Sequence, residues 1–271
     1  MCIRDSKKLE LYSETIRDWG WPEYALPTFI RSQVHWEDLD FAAGERMLVP
    51  TFRIPTLIHT RSANSKWLNE IIQLHPLWIH PTDADALGVA ENGLVRITTR
   101  IGWFVISAWR TEGIRPGVVA ASHHMGRWRL DEETGRSWGA GRASIDRTAD
   151  GLWRLRREDP QTPYESDDAD TSLIWWSDTG VHQNLAFPVQ PDPVSGMHCW
   201  LQRVSVAPAA DSDAYGDGGV DTNAAHTVFE EWLAEARPGP GPDGLRRPLW
   251  FARPVKPLAT AYSYGLSLIH I

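Results

Sequence analysis

Two places in this 271-residue sequence crowd together side chains that could bind or do chemistry. The first is His59-Thr60-Arg61-Ser62-Ala63-Asn64, with Arg53 shortly before it. An imidazole, hydroxyls, a guanidinium and an amide make it a concentration of hydrogen-bond donors. Such a set can hold the oxygens of a pyrophosphate and the edges of a guanine, with arginine supplying charge-assisted bonds. The same residues also suit a polar surface turn, since Ser62 or Asn64 can cap a helix that follows. Spacing alone leaves both readings standing. The second place is His123-His124. On extended backbone, adjacent side chains point to opposite sides, so the pair makes a poor chelate and no metal ligand is expected. A third feature, the acidic run Asp167-Asp168-Ala169-Asp170, reads as a solvated loop rather than a calcium site.

The elements that must position these groups are clearest from Pro76 to Gly102. Leu77 to Ile79 is a short apolar run that ends at a proline. Pro81 suits the first turn of a helix, where its missing N–H costs nothing. Thr82 and Asp85 have the spacing of a capping box, and Gly88 offers a left-handed stop after Leu87. Asn92-Gly93 is a strong turn signal, and Val95 to Thr99 alternates apolar and polar as a half-buried strand does. Trp103 to Trp109 reads as a strand covered on both faces, and the turn Pro116-Gly117 leads into another that opens with Val118 and Val119. A short helix through Ile16 ends at Gly20, and Val228 to Ala236 reads as another. Asp150-Gly151 marks a hairpin inside residues 125–180, which otherwise lack a sustained period.

The totals narrow the class. Net charge is −8, which argues against a partner held through nucleic-acid phosphates. Fifteen tryptophans fit a β-rich core and its margins. No apolar run approaches the roughly 20 residues that cross a bilayer as a helix. Cys2 and Cys199 are the cysteines, and without a Cys-x-x-Cys pair they build neither an iron–sulfur nor a structural zinc site. Cys199 reads as a core-edge residue. The ends, Met-Cys-Ile-Arg-Asp-Ser and Leu-Ser-Leu-Ile-His-Ile, resemble translated adapter sequence of metagenomic assemblies. Residues 1–6 and 266–271 are accordingly expected to be foreign to the fold.

The segment 80–102 resembles the C-terminal dinucleotide-binding domain of molybdopterin oxidoreductases, the dimethyl sulfoxide reductase family. Members carry Asn-Pro-x-Asp-Ala-x-x-Leu-Gly-Ile-x-Asp-Gly-Asp-x-Val-x-Val-x-Ser-x-x-Gly; here His80 replaces the usual Asn and Leu94 the usual Asp. Four further segments keep the family's order. Lys8-Leu9-Glu10-Leu11-Tyr12-Ser13 resembles the passage into the last domain. Met47 to Arg53, then His59-Thr60-Arg61, then Trp67 to Ile71 resembles a strand, a loop and a short helix. Glu112-Gly113-Ile114-Arg115-Pro116-Gly117 is close to a family turn, with His123-His124 following where members place histidines near the cofactor. Asn184-Leu185-Ala186 and Asp192-Pro193-Val194-Ser195-Gly196 resemble the closing segment, Ala186 departing from the usual Thr.

Several short strands between glycine and proline turns argue for a mainly β, α+β fold. The resemblance, over residues 7–207, sharpens this to a six-stranded double-psi β-barrel with loop insertions. Its implied layout is a linker at 7–45, the barrel at 46–207 with an insertion at 125–180, and a linker and tail at 208–265. It implies a parent molybdenum or tungsten oxidoreductase that holds two molybdopterin guanine dinucleotides. A four-iron–four-sulfur cluster and the metal's protein ligand would lie in a missing N-terminal catalytic body. The expected cofactor-binding residues are Arg53, His59, Thr60, Arg61, Asp83, His123, His124, Gln183 and Asn184, with Asp83 supporting the loop through its helix. No catalytic residue is expected here, and the chain alone should not turn over. Partners implied are the catalytic body and an electron-transfer iron–sulfur subunit, in a cytoplasmic or periplasmic parent. Two alternatives stay open: a free-standing barrel that binds without catalysis, and a hydratase-type member that uses the metal without net redox.

Overall fold

β1 (Glu45–Phe52) buries Arg46, Leu48 and Pro50 on alternate positions, the period-two pattern of a strand with one face inward. The computed structural model describes residues 11–18, 20–63, 65, 68, 71, 75–130, 141–158, 180–192, 196–198 and 200–235. Among them β1 pairs in parallel with β5 (Val118–Ser122) and antiparallel with β9 (Gln202–Pro208). β9 pairs with β3 (Leu94–Thr98), and β3 with β4 (Gly102–Arg110), both antiparallel. β4 runs parallel to β2 (Pro76–Ile79), and β2 antiparallel to β5, which closes the ring. The result is the six-stranded barrel expected from the sequence, with the mixed parallel and antiparallel pairing of a double-psi barrel. Leu48, Leu77, Ile79, Val95, Ile97, Phe104, Ile106, Val119, Val204 and Val206 fill it and are all but inaccessible to solvent. Burial of that apolar surface is the main stabilising term of the unit.

The helix inside the ring's longest matched segment forms as its residues require. It spans Pro81–Leu87, with Pro81 in its first turn, and Gly88 ends it at φ 69°. Its N-cap is His80, whose Nδ1 accepts from the Thr82 N–H at 3.2 Å, so the expected capping box led by Thr82 is corrected by two residues. An asparagine side chain would cap the helix in the same way at that position. Asn92 takes φ 57° in the turn before β3.

The insertion carries more order than its irregular composition suggested. β6 (Trp128–Leu130), β7 (Gly141–Arg147) and β8 (Trp153–Arg157) extend the sheet, and Asp150-Gly151 lies in the turn of the antiparallel β7–β8 hairpin. What joins them to the barrel is β10 (Gly218–Val220), which pairs with β8 on one edge and the start of β4 on the other. Within the expected linker and tail at 208–265, the first residues are held by ion pairs. Asp213 makes a two-bond pair with Arg96, and Asp217 accepts from Arg154 at 3.1 Å. Arg96 also stacks 4.1 Å from the Trp103 ring centroid, with Arg154 at 5.8 Å. These pairs pin the stretch to the barrel wall.

The chain divides into two compact units, and the barrel unit comprises residues 31–190 and 198–230. The other unit holds 1–30, 191–197 and 231–271. Its described part has a helix at Glu14–Asp18, a 3-10 turn at Pro22–Tyr24 and a buried Trp232 whose Nε1 donates to Pro191 O at 2.6 Å. The C-terminal helix spans Thr222–Glu235, longer at its start than the expected Val228 to Ala236. Among the described residues no helix is long and apolar enough to cross a membrane. Asn64, most of the expected helix Trp67 to Ile71, the acidic run 167–170, both cysteines and the ends 1–6 and 266–271 lie outside the described residues.

Candidate functional site

Because β1 and β5 are parallel neighbours, with Phe52 opposite Ser122, their C-terminal ends leave the barrel side by side. Arg53 and the turn to His59 follow one; His123 and His124 follow the other. A third stretch, Gly180 to Phe187, arrives beside them with a 3-10 turn at Asn184–Ala186. Two glycines permit that approach. Gly126, at φ 99°, lies so near the Val181 carbonyl that a Cβ would sit 2.3 Å from it. Gly180, at φ 103°, has Met125 Cβ and His75 Nδ1 where its own side chain would be. Both combine a left-handed backbone with contact that no larger residue could make.

Between these stretches lies a cleft of about 620 Å³. Arg53, His59, His123, Gln183 and Asn184 all line it, together with Pro50, Thr51, Met125, Val181, His182, Phe187, His198 and Trp200. The structure thus gathers candidates drawn from three distant parts of the sequence. His124 is buried directly behind, its ring 4.8 Å from that of His59 and 4.6 Å from that of His123. Arg61 is exposed on the helical turn His59–Ser62 and is not among the lining residues; the side chain of Thr60 lies outside the described set. Ser62 looks backward, its hydroxyl accepting from Ile58 N at 2.6 Å, so it does not cap a following helix.

Asp83 is not brought to the cleft. Its carboxylate is buried, paired with Arg46 at 2.9 Å and accepting from Gly117 N at 2.6 Å. It ties the Pro81–Leu87 helix to the start of β5. The expectation that His123 and His124 diverge is also not met. β5 ends at Ser122 and the backbone bends at both histidines, so the rings lie 4.6 Å apart.

Gln183 is held rather than free. Its Nε2 donates to Ser122 O at 2.6 Å and lies 3.5 Å from His75 Nε2, while its Oε1 is buried without a partner. His75 is fully buried and accepts from Val181 N at 3.0 Å through Nδ1; burial pushes its pKa down to about 4. Burial, then the neighbouring His123 and His59 and the charge of Arg53, push His124 down to about 4 as well. His123 is lowered by burial, His59 and Arg53, and His182 by burial. His59 itself sits at φ 43°, a left-handed conformation that is uncommon outside glycine. Among the described lining residues Arg53 alone carries a fixed charge. One guanidinium, several imidazoles and two amides over an apolar floor suit anionic oxygens and the edge of a heterocycle.

Residues 47–150 match the family model described as "Molydopterin dinucleotide binding domain". The matched stretch covers less than half of the chain. It holds five of the barrel's six strands and the Arg53, His59, His123 and His124 positions. The molybdopterin-containing subunit ArrA of the arsenate respiratory reductase of Chrysiogenes arsenatis is 27% identical over 163 residues, covering 50% of this chain and 19% of the relative. Its counterpart from Shewanella sp. strain ANA-3 is 29% identical over 106 residues, covering 35% and 12%. A solved structure, the acetylene hydratase of Pelobacter acetylenicus, aligns with TM-score 0.38 and 20% identity over 48% of this chain and 18% of its own. The chain therefore spans about a fifth or less of the length of these proteins.

Sequence reasoning missed His182, His198 and Trp200 as residues that line the cleft. His182 had a signal in its place beside Gln183. His198 and Trp200, whose rings meet edge-on at 5.0 Å, lie in a stretch with no periodic pattern.

Proposed function

We propose that this chain is the C-terminal cofactor-binding part of a molybdenum or tungsten oxidoreductase carrying two molybdopterin guanine dinucleotides. The observation that carries the reading is the convergence of Arg53, His59, His123, Gln183 and Asn184 on one cleft at the C-terminal ends of β1 and β5. The donor set fits the group: a fixed cation for phosphate oxygens, and a buried, unpartnered Gln183 Oε1 for a heterocycle N–H. In this reading Arg53 and His59 hold the pyrophosphate, while Asn184 and Gln183 position the pterin and base edges. When bound, the cofactor and its metal supply the oxygen-atom or hydride chemistry. The chain's own residues orient it and cover it from water. A catalytic body completes the site from the other side, and an iron–sulfur subunit exchanges electrons with it.

Because half of each dinucleotide site belongs to that body, the isolated chain binds weakly, ordering costs being unrelieved. Guanosine diphosphate titrated into the 15N-labelled chain should shift the amides of Arg53, His59, His123 and Asn184, with a Kd in roughly the millimolar range. Arg53→Ala should weaken that response. Silence at all four amides with about 10 mM nucleotide, or shifts confined to another face, would overturn the reading.

A further inference from the structure

We propose that His59, His123 and His124 form a binding site for a late first-row transition metal ion such as Zn²⁺. One ring nitrogen from each residue lies within 4.8 Å of the others. The ring centroids are 4.6 to 4.9 Å apart pairwise. A tetrahedral zinc with bonds of about 2.0–2.1 Å sets its ligand nitrogens about 3.3 Å apart, so modest side-chain rotations close the site. The two residues that must turn, His59 and His123, are exposed, and His123 gives up a hydrogen bond to the Phe52 backbone in doing so, whereas His124 is buried in the core.

Two further observations point the same way. The Nδ1 of His124 is buried and has no hydrogen-bond partner, a condition rare for a polar atom that nothing else satisfies. His59 holds the uncommon φ of 43°, and that conformation turns its ring toward the other two. The ligand set also chooses the metal. Three imidazoles without a carboxylate favour Zn²⁺, Co²⁺, Ni²⁺ or Cu²⁺ over Mg²⁺ and Ca²⁺, which take oxygen ligands. Three protein ligands leave one tetrahedral position, on the side of the cleft that His59 and His123 line. The nearby Arg53 disfavours a bare cation, so an anionic ligand belongs in that position. A metal here would staple the turn after β1 to the turn after β5. The site stands on this chain's own residues and needs no dinucleotide.

The test titrates Co²⁺ into the metal-stripped full chain and follows its visible d–d absorption. One equivalent should bind with the intense bands of a tetrahedral site, and Zn²⁺ should displace it. His123→Ala should weaken binding by about tenfold or more, one of three protein bonds being lost. His59→Asn should do the same, and asparagine tolerates the left-handed backbone at that position. His226→Ala, which removes an exposed imidazole on the C-terminal helix, should change nothing. X-ray absorption of the zinc-loaded wild-type chain, which needs no variant to fold, should show outer-shell scattering from three imidazoles. Absent d–d bands at about millimolar Co²⁺, an undiminished Co²⁺ affinity in folded His123→Ala, or fewer than three imidazoles by X-ray absorption would overturn the site. Metal binding without any guanosine diphosphate response would support this site while refuting the dinucleotide reading, and the reverse result would do the opposite.

Discussion

At the scale of single residues, Asp83 shows how one motif carboxylate holds a helix in place. Its Oδ1 meets the almost inaccessible Arg46 guanidinium at 2.9 Å and its Oδ2 takes the Gly117 N–H at 2.6 Å. Arg46 has other acceptors, the carbonyls of Phe41 and Glu45 at 3.1 and 2.7 Å, but among the described residues its ion pair is with Asp83 alone. Removing the carboxylate would leave a buried cation without its partner and a buried N–H without its acceptor. Asp83→Ala is therefore expected to destabilise the barrel unit by about 3–5 kcal/mol. Asp83→Asn, which keeps an acceptor for Gly117, should cost less. Urea denaturation measures both. The guanosine diphosphate shifts at Arg53 should survive in folded Asp83→Asn; their loss there would place Asp83 in the binding set.

At the scale of elements, the site depends on how closely two chain segments cross. Gly126 stands where a Cβ would press on the Val181 carbonyl at 2.3 Å, and its φ of 99° is one that alanine resists. Gly126→Ala should displace residues 180–184, break the Gln183–Ser122 bond and cost roughly 2–4 kcal/mol. Amide exchange at Val181, whose N–H is bonded to His75, should accelerate; unchanged protection there would refute the crossing as the positioning device. The elements themselves were legible wherever the cause was local. Pro81, Gly88 and Asn92-Gly93 announce a helix start, a helix stop and a turn through their own backbone preferences, and the alternation in Val95 to Ile97 reports its own burial. β10 was not legible, because Gly218 and Gly219 have no side chains to alternate. Their pairing is fixed from far away, by Arg96 to Asp213 and Arg154 to Asp217. Likewise, the loops bearing Arg53 and Asn184 could be named from family motifs, but His198 and Trp200 join them through folding alone. The near-contact of the His123 and His124 rings arises from a bend that neither residue type signals.

At the scale of the whole molecule, the barrel carries buried imidazoles as neutral groups, and that makes its stability a function of pH. His75 is the clearest case: wholly inaccessible, bonded through Nδ1 to Val181 N, and pushed from 6.5 to about 4, chiefly by burial. In the unfolded chain it titrates near 6.5, so below that pH the unfolded state binds a proton that the folded state refuses. Its contribution is fully present above about pH 6.5 and is lost as pH falls toward 4, by on the order of 3 kcal/mol. Asp213 acts in the same direction at lower pH. Burial raises its pKa, but the hydrogen bonds from Arg96 and Ala210 and the two arginine charges outweigh it and leave it lowered. That stabilisation is present above the unfolded carboxylate's range and disappears as acid protonates the folded group. Urea midpoints measured from pH 7.5 down to 4 should therefore fall, with the steepest loss beginning near 6.5. His75→Gln replaces the titrating ring by an amide, so its profile should be lower at pH 7.5 yet flatter between 6.5 and 4.5. A wild-type midpoint that holds level across that window would mean the His75 ring is solvated or already protonated in the folded chain. The packing of Gln183 against it, and with it the floor of the cleft, would then have to be redrawn.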